Sequence, residues 1–212
     1  MNVTLFGATG AIGAQVIDQL RSRGHSVTAY VRNPPKVRAD WGEGVNVVGE
    51  LSDPAAVDQA VAGANAVISA LGPDLSRKAT GLPLVDGTKN IVAAMQQHGV
   101  RRYIGLGTPS VLDAREQPTW QTRLTTFMAM TFLRRAYNEL TGMSQIVMTS
   151  GLDWTIVRYI APKDGPARHR VREGFYGTDK LGFTITRADI AAFVAAQIDT
   201  NRYVGRAPAI SN

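Results

Sequence analysis

The chain has 212 residues, 44% of them apolar, and a formal charge of +6, which suits one large domain with a full hydrophobic core. No run nears the ~18 uninterrupted apolar residues of a membrane span, and cysteine is absent, which excludes disulfides, thiol nucleophiles and thiolate metal sites. The three histidines, His25, His98 and His169, lack ligand spacing, and the only arginine cluster is Arg168-His169-Arg170 with Arg172, too little for a specific nucleic-acid footprint.

The chain opens on Val3-Thr4-Leu5-Phe6, a β-like run, and no signal peptide is expected before it. Gly7-Ala8-Thr9-Gly10-Ala11-Ile12-Gly13 follows directly, and the next stretch, Ala11 to Arg23, puts Ile12, Val16, Ile17 and Leu20 on one helical face. A strand, a glycine turn and a helix start form a pocket for a pyrophosphate, because free backbone N–H groups and the positive end of the helix dipole point at the anion. Gly7 is expected to allow the tight turn, Gly10 the approach to phosphate and Gly13 the close packing of helix on strand. All seven residues are cofactor-binding candidates; the alternative is a β–α turn with no ligand.

Val27 to Val31 reads as a second strand and Val45 to Val48 as a third. Pro54 opens a helix capped by Ser52 or Asp53 and running through Val57 and Val61. Ala66 to Ala70 is a fourth strand. Leu82 to Gln97 is a helix with Leu84, Val85, Ile91, Val92 and Met95 as its buried stripe. Arg102 to Leu106 is a fifth strand. Trp120 to Met148 favours helix with a break near Thr141-Gly142, and its Phe127, Met128, Met130, Phe132, Leu133 and Met143 read first as helix core. A pliable pocket wall and a subunit interface are the other readings. Trp154 to Tyr159 is a sixth strand, Asp189 to Ile198 a last helix, and Arg202 to Ile210 offers an edge strand. This alternation predicts a single α/β domain over residues 1–212, a doubly wound parallel sheet in the order 3-2-1-4-5-6 with room for a seventh strand.

An NAD site places a carboxylate near the end of the second strand, to accept from the ribose 2′-OH. Here that position reads Tyr30-Val31-Arg32-Asn33, with Lys36 shortly after. A guanidinium matches a 2′-phosphate in charge and geometry, so NADP(H) is the expected cofactor and Arg32 and Lys36 its candidate ligands. Glu50 and Leu51, after the third strand, are expected to flank the adenine. Ala70, Leu71 and Gly72, after the fourth, are expected to let the cofactor lie close. Gly105-Leu106-Gly107-Thr108-Pro109-Ser110 ends the fifth strand.

Three further stretches, Val31-Arg32-Asn33-Pro34, Ser150-Gly151-Leu152-Asp153-Trp154-Thr155-Ile156-Val157-Arg158 and Ile185-Thr186-Arg187-Ala188-Asp189-Ile190-Ala191, join the glycine motif in a wider pattern. Together they resemble the atypical short-chain dehydrogenases/reductases of the NAD(P)H-binding, NmrA-like type, whose relatives include biliverdin reductase B and flavin reductase. The resemblance covers nearly the whole chain. It implies a Rossmann fold, NADP(H) binding and, often, reduction of a small or flat apolar acceptor such as a flavin, quinone, tetrapyrrole or carbonyl. It also implies that the sixth strand ends beside the nicotinamide, which makes Tyr159 a cofactor-side candidate; the family usually has Pro there. Related enzymes carry Ser or Thr after the fifth strand, so Thr108 is the first candidate to bond substrate or carboxamide and Ser110 the second.

Standard members use Tyr-x-x-x-Lys on the helix after the fifth strand, one face holding both side chains. Here Tyr137 has Thr at 141, so the pair is broken. Tyr176 and Lys180 match in letters, but the glycines around them predict a loop, where the shared face is lost. A non-catalytic NADP(H)-binding redox sensor acting through a protein partner is therefore the alternative to a reductase. The remaining expectations are a cytoplasmic protein, monomer or homodimer, with a small-molecule substrate, no metal, no membrane and no specific nucleic acid.

Overall fold

The computed structural model describes residues 1–41, 46–76, 78–117 and 119–212. Six parallel strands form the centre of the sheet: β1 (Asn2–Phe6), β2 (Ser26–Val31), β3 (Asn46–Val48), β4 (Ala66–Ser69), β5 (Arg102–Gly107) and β6 (Asp153–Arg158). They lie in the order β3-β2-β1-β4-β5-β6. That order follows from right-handed crossovers on both sides of β1. The expected start of β3 at Val45 falls outside the described residues.

The strands bury both faces. Along β1, Val3 and Leu5 enter one core, with Val16, Ile17 and Leu20 of α1 (Gly13–Ser22) and Ile190 and Val194 of α6 (Arg187–Ala196). Phe6 enters the other, with Val57 and Val61 of α2 (Pro54–Val61) and Ile91 and Met95 of α3 (Pro83–Gln97). Each fully buried Leu or Ile contributes roughly 1.5–3 kcal/mol, which makes this alternation the main restraint on strand register. Asp53 is the cap of α2, its carboxylate accepting from the Ala55 and Ala56 N–H groups. Leu84 and Val85, expected in the buried stripe of α3, are only half-buried.

The long helical stretch is two helices, α4 (Trp120–Phe132) and α5 (Arg134–Met148), and the break is at Leu133 rather than Thr141-Gly142. Gly142 is a packing glycine: a Cβ there would stand 2.8 Å from Val85 Cγ2, so its absence lets α5 approach α3. The expectation that this stretch is helix core holds for Met143, which is buried, and fails on α4. There Phe127, Met128, Met130 and Phe132 are exposed, as is Leu133 at the break. Periodicity marks an apolar stripe but not what covers it.

The seventh strand is shorter than expected. Residues 202–205 form a turn, Arg206 makes one isolated parallel bridge to Thr155, and β10 (Ala209–Ser211) pairs parallel to β6 and antiparallel to β8 (Arg172–Gly174). A separate pair, β7 (Ala161–Lys163) with β9 (Thr184–Thr186), continues from the end of β6 and leads into α6.

Candidate functional site

Gly7 and Gly13 shape the turn after β1. Gly7 has φ +79°, and a Cβ on it would lie 2.7 Å from the Ala70 carbonyl carbon. A Cβ on Gly13 would lie 2.1 Å from the Gly7 oxygen. Both positions demand glycine, and together they press α1 onto the strand ends. The start of α1 has no side-chain cap and no acid in its first turn, whereas α2, α4 and α6 are capped by Asp53, Thr119 and Thr186. α5 likewise starts without a side-chain cap or an acid in its first turn, but the α1 start follows the glycine turn at the strand ends, where its free N–H groups can receive an anion.

A groove of about 440 Å³ runs from this turn across the carboxyl ends of β2, β3 and β4. It gathers Gly7, Thr9, Arg32, Lys36, Glu50, Leu51, Leu71 and Gly72 from the expected cofactor residues, and adds Tyr30, Asn33 and Ser52. Ala8 is buried in the core and Ile12 packs against it, so only their backbone could serve a ligand. Gly10 and Ala11 are exposed at the helix start, and Ala70 lies under Gly7. The Tyr30 hydroxyl donates to the Glu50 carbonyl at 2.8 Å, and Asn90 Nδ2 donates to that of Leu51 at 2.8 Å, so two bonds fix the far wall. Burial, with the charges of Asp53 and Glu50, pushes the Tyr30 hydroxyl up to about 12, so it stays a donor.

Arg32 and Lys36 are exposed, and among the described residues neither is in an ion pair. Arg38, close by in sequence, is committed to Asp18 and Asp40. Glu50 and Asp86 also line the groove, but Glu50 follows β3 rather than β2, and Asp86 is paired with Lys89 at 2.8 Å. The place where a ribose 2′-substituent is expected is thus positive.

Thr108, Ser110 and Tyr159 lie not in this groove but in an apolar pocket of about 340 Å³ beyond it. Leu71 and Gly72 face the groove, and Pro73 and Leu75 of the same loop face the pocket. The Thr108 and Ser110 hydroxyls are 2.5 Å apart and share a hydrogen bond, so one of their two protons is left for a ligand. Tyr137 and Thr126 also line this pocket, so five hydroxyl-bearing residues surround it. Thr141 spends its hydroxyl on the Tyr137 carbonyl at 2.8 Å. Burial pushes the Tyr159 hydroxyl up to about 12, partly opposed by the charge of Arg187.

Tyr176 and Lys180 lie in the turns after β8, not on a helix. Tyr176 is buried beneath Arg158, whose guanidinium stands 5.1 Å from the ring centre. Arg158 is completely buried: it donates to the Ala207 and Val111 carbonyls and faces Glu116 at 2.7 Å. It braces the loop after β5, which carries Thr108 and Ser110. The motif around it marked the strand; nothing in its spacing disclosed Glu116 as the partner. A larger cleft, about 730 Å³ between α4 and residues 176–183, touches the pocket only at Ile160 and does not reach the glycine turn. Among the described residues no cluster of three or more His, Asp or Glu could hold a metal, and no helix is long and apolar enough to cross a membrane.

The profile of the NAD(P)H-binding family matches residues 7–201. A 2-alkyl-3-oxoalkanoate reductase of Stenotrophomonas maltophilia (strain K279a) is 34% identical over 121 residues, 56% of this chain and 36% of that protein. A 3-diazoavenalumate denitrifying reductase of a Streptomyces species is 29% identical over 227 residues, 99% of this chain and 71% of that one. The chain spans about a third of the length of four curated relatives that it matches. A short-chain dehydrogenase/reductase from Veillonella parvula, solved in complex with NADP, superposes on 100% of this chain and 94% of its own, with a TM-score of 0.80 at 17% identity. That likeness is one of fold.

Proposed function

The chain belongs to the NAD(P)H-binding family, and from that premise we propose that it is an NADPH-dependent reductase of a small or flat apolar acceptor. One observation carries the reading: a groove with free cations at the 2′-end and an apolar pocket with grouped hydroxyls meet along the loop 71–75. In a groove of this shape the α1 start and the backbone of residues 7–13 hold the pyrophosphate. Arg32 and Lys36 hold the 2′-phosphate, and Glu50 and Leu51 flank the adenine. The nicotinamide end then arrives at Thr108 and Tyr159, near Ser110 and Tyr137.

Bound NADPH would supply the hydride. The chain's own part is to hold the acceptor against it, exclude water and offer a proton. The pocket walls are mainly apolar, and Thr108, Ser110, Tyr137 and Tyr159, with Thr126, are the hydroxyl-bearing residues that line it. No lysine stands at position 141 to assist Tyr137, which suits acceptors that need little general-acid help, such as quinones and flavins, over simple carbonyls.

The test is direct. NADPH is titrated calorimetrically, and its oxidation is then followed by absorbance with flavins, quinones and aldehydes. Submicromolar to micromolar binding with turnover of a quinone or flavin supports the reading. Binding without any turnover selects the redox-sensor alternative, and no binding of either nicotinamide cofactor overturns both.

A further inference from the structure

We propose that the outer face of α4 docks on an anionic lipid surface. Thirteen large apolar side chains are exposed among the described residues. Apart from Met1 and Val48, all lie in segments 75–82 and 112–133 or at Phe183, around the pocket end of the sheet. On α4 itself Trp120, Phe127 and Phe132 are 71%, 62% and 70% exposed. Taking about 150–250 Å² for a fully exposed large side chain, the uncovered parts of the six such residues on α4 amount to roughly 500–900 Å², at or above the ~300–600 Å² of a typical largest monomer patch.

Charge decides what covers this face. From Gln117 to Asn138 the chain has no carboxylate but carries Arg123, Arg134 and Arg135. Arg135 is held by the buried Glu139 at 2.9 Å, which leaves Arg123 and Arg134 exposed beside the apolar stripe. The carboxylates nearest in sequence, Asp113, Glu116 and Glu139, are all buried and engaged. On the adjoining turn, Asp179 accepts from the Phe175 N–H. Lys180, next to it, is exposed and has no ion pair among the described residues. A second copy laid on this face would set arginine against arginine, the exposed acids at its border being Asp74, which bonds Ser76, and Asp179, which accepts from the Phe175 N–H. Anionic headgroups would neutralise the arginines while the acyl boundary takes the aromatic and methionine side chains.

The absence of a spanning helix does not bear on such a surface contact. Thr126, Ala129 and Leu133 of the same region wall the apolar pocket. If the reductase reading holds, docking brings that pocket to the level from which a lipid-dissolved acceptor would come.

The full chain is floated with vesicles of phosphatidylcholine, and of phosphatidylcholine with a third phosphatidylglycerol. Binding is expected to the anionic vesicles and to weaken with added salt. Met128→Glu and Phe132→Glu, neither of which lines a cavity described above, should each cut partitioning by roughly tenfold or more. Arg123→Gln with Arg134→Gln should remove the preference for anionic lipid. NADPH affinity, measured in parallel without lipid, should stay at the wild-type value in all variants, which separates this test from that of the reductase reading. Absence of flotation with both vesicle types overturns the proposal, as does flotation that the Glu variants leave intact. A dimer by light scattering that Phe132→Glu dissociates would assign the face to a second copy instead.

Discussion

Arg32→Ala should reduce the affinity for NADPH and leave that for NADH nearly unchanged. Arg32 stands at the end of β2, exposed and free of ion pairs among the described residues, on the wall of the 440 Å³ groove. A charge-assisted hydrogen bond to a phosphate contributes roughly 1.5–3 kcal/mol, and solvent screening at an exposed site trims this toward about 1–2 kcal/mol. The expected loss is therefore about 5- to 30-fold in Kd. Lys36 lines the same groove and should retain part of the preference, so Arg32→Ala with Lys36→Ala should bring the two cofactors close to parity. The side chain supports no core contact, so the thermal midpoint should not move. Calorimetric titration of both cofactors into wild type and both variants, at low and high salt, gives the comparison. Equal wild-type affinity for NADH and NADPH, or an equal loss of both on Arg32→Ala, would refute the assignment.

Arg158→Met leaves Glu116 buried without its cation, which should cost about 3–5 kcal/mol and lower the thermal midpoint by roughly 6–20 °C for a chain of this size. Adding Glu116→Gln should recover part of the loss; no recovery would mean that the ion pair is not its source. Tyr176→Phe keeps the ring 5.1 Å beneath the Arg158 guanidinium and should leave NADPH-dependent turnover within a few-fold of wild type, against the ~10²–10⁴ expected for loss of a general acid. A hundredfold loss with the fold intact would make Tyr176 catalytic. Asp189 accepts from the Thr186 hydroxyl and from the Arg168 and His169 N–H groups, and from Asn212. Burial raises its pKa, but these bonds outweigh it and hold the carboxyl below its usual 3.8. A depressed folded pKa contributes stability above the unfolded value that is lost as pH falls through the folded one. Asp189→Asn should thus be less stable at neutral pH, with a flatter dependence of the urea midpoint from about pH 5 to 3; parallel wild-type and variant curves would exclude this linkage.

The sequence by itself determined the doubly wound sheet and the order of its six central strands. Those features rest on local signals: apolar runs of strand length, helices with a 3.6-residue stripe, and a glycine turn between the first strand and helix. It also marked Arg32 and Lys36, because the absence of a carboxylate after β2 is visible in one line of letters. Three-residue strands such as β7, β8 and β9 carry no period to read, so the small second sheet and the edge beside β10 arose only in three dimensions. Gly142 looked like a helix break because its partner, Val85, is 57 positions away and only packing shows the close approach. The placing of Thr108, Ser110, Tyr137 and Tyr159 around one pocket, and of Glu116 and Tyr176 around the buried Arg158, joins segments far apart in the chain. The stripe on α4 was legible as apolar, but only the tertiary structure decided that nothing of the described chain covers its outer face. Burial is a property of the neighbours a face acquires, and those are set by topology rather than by local sequence.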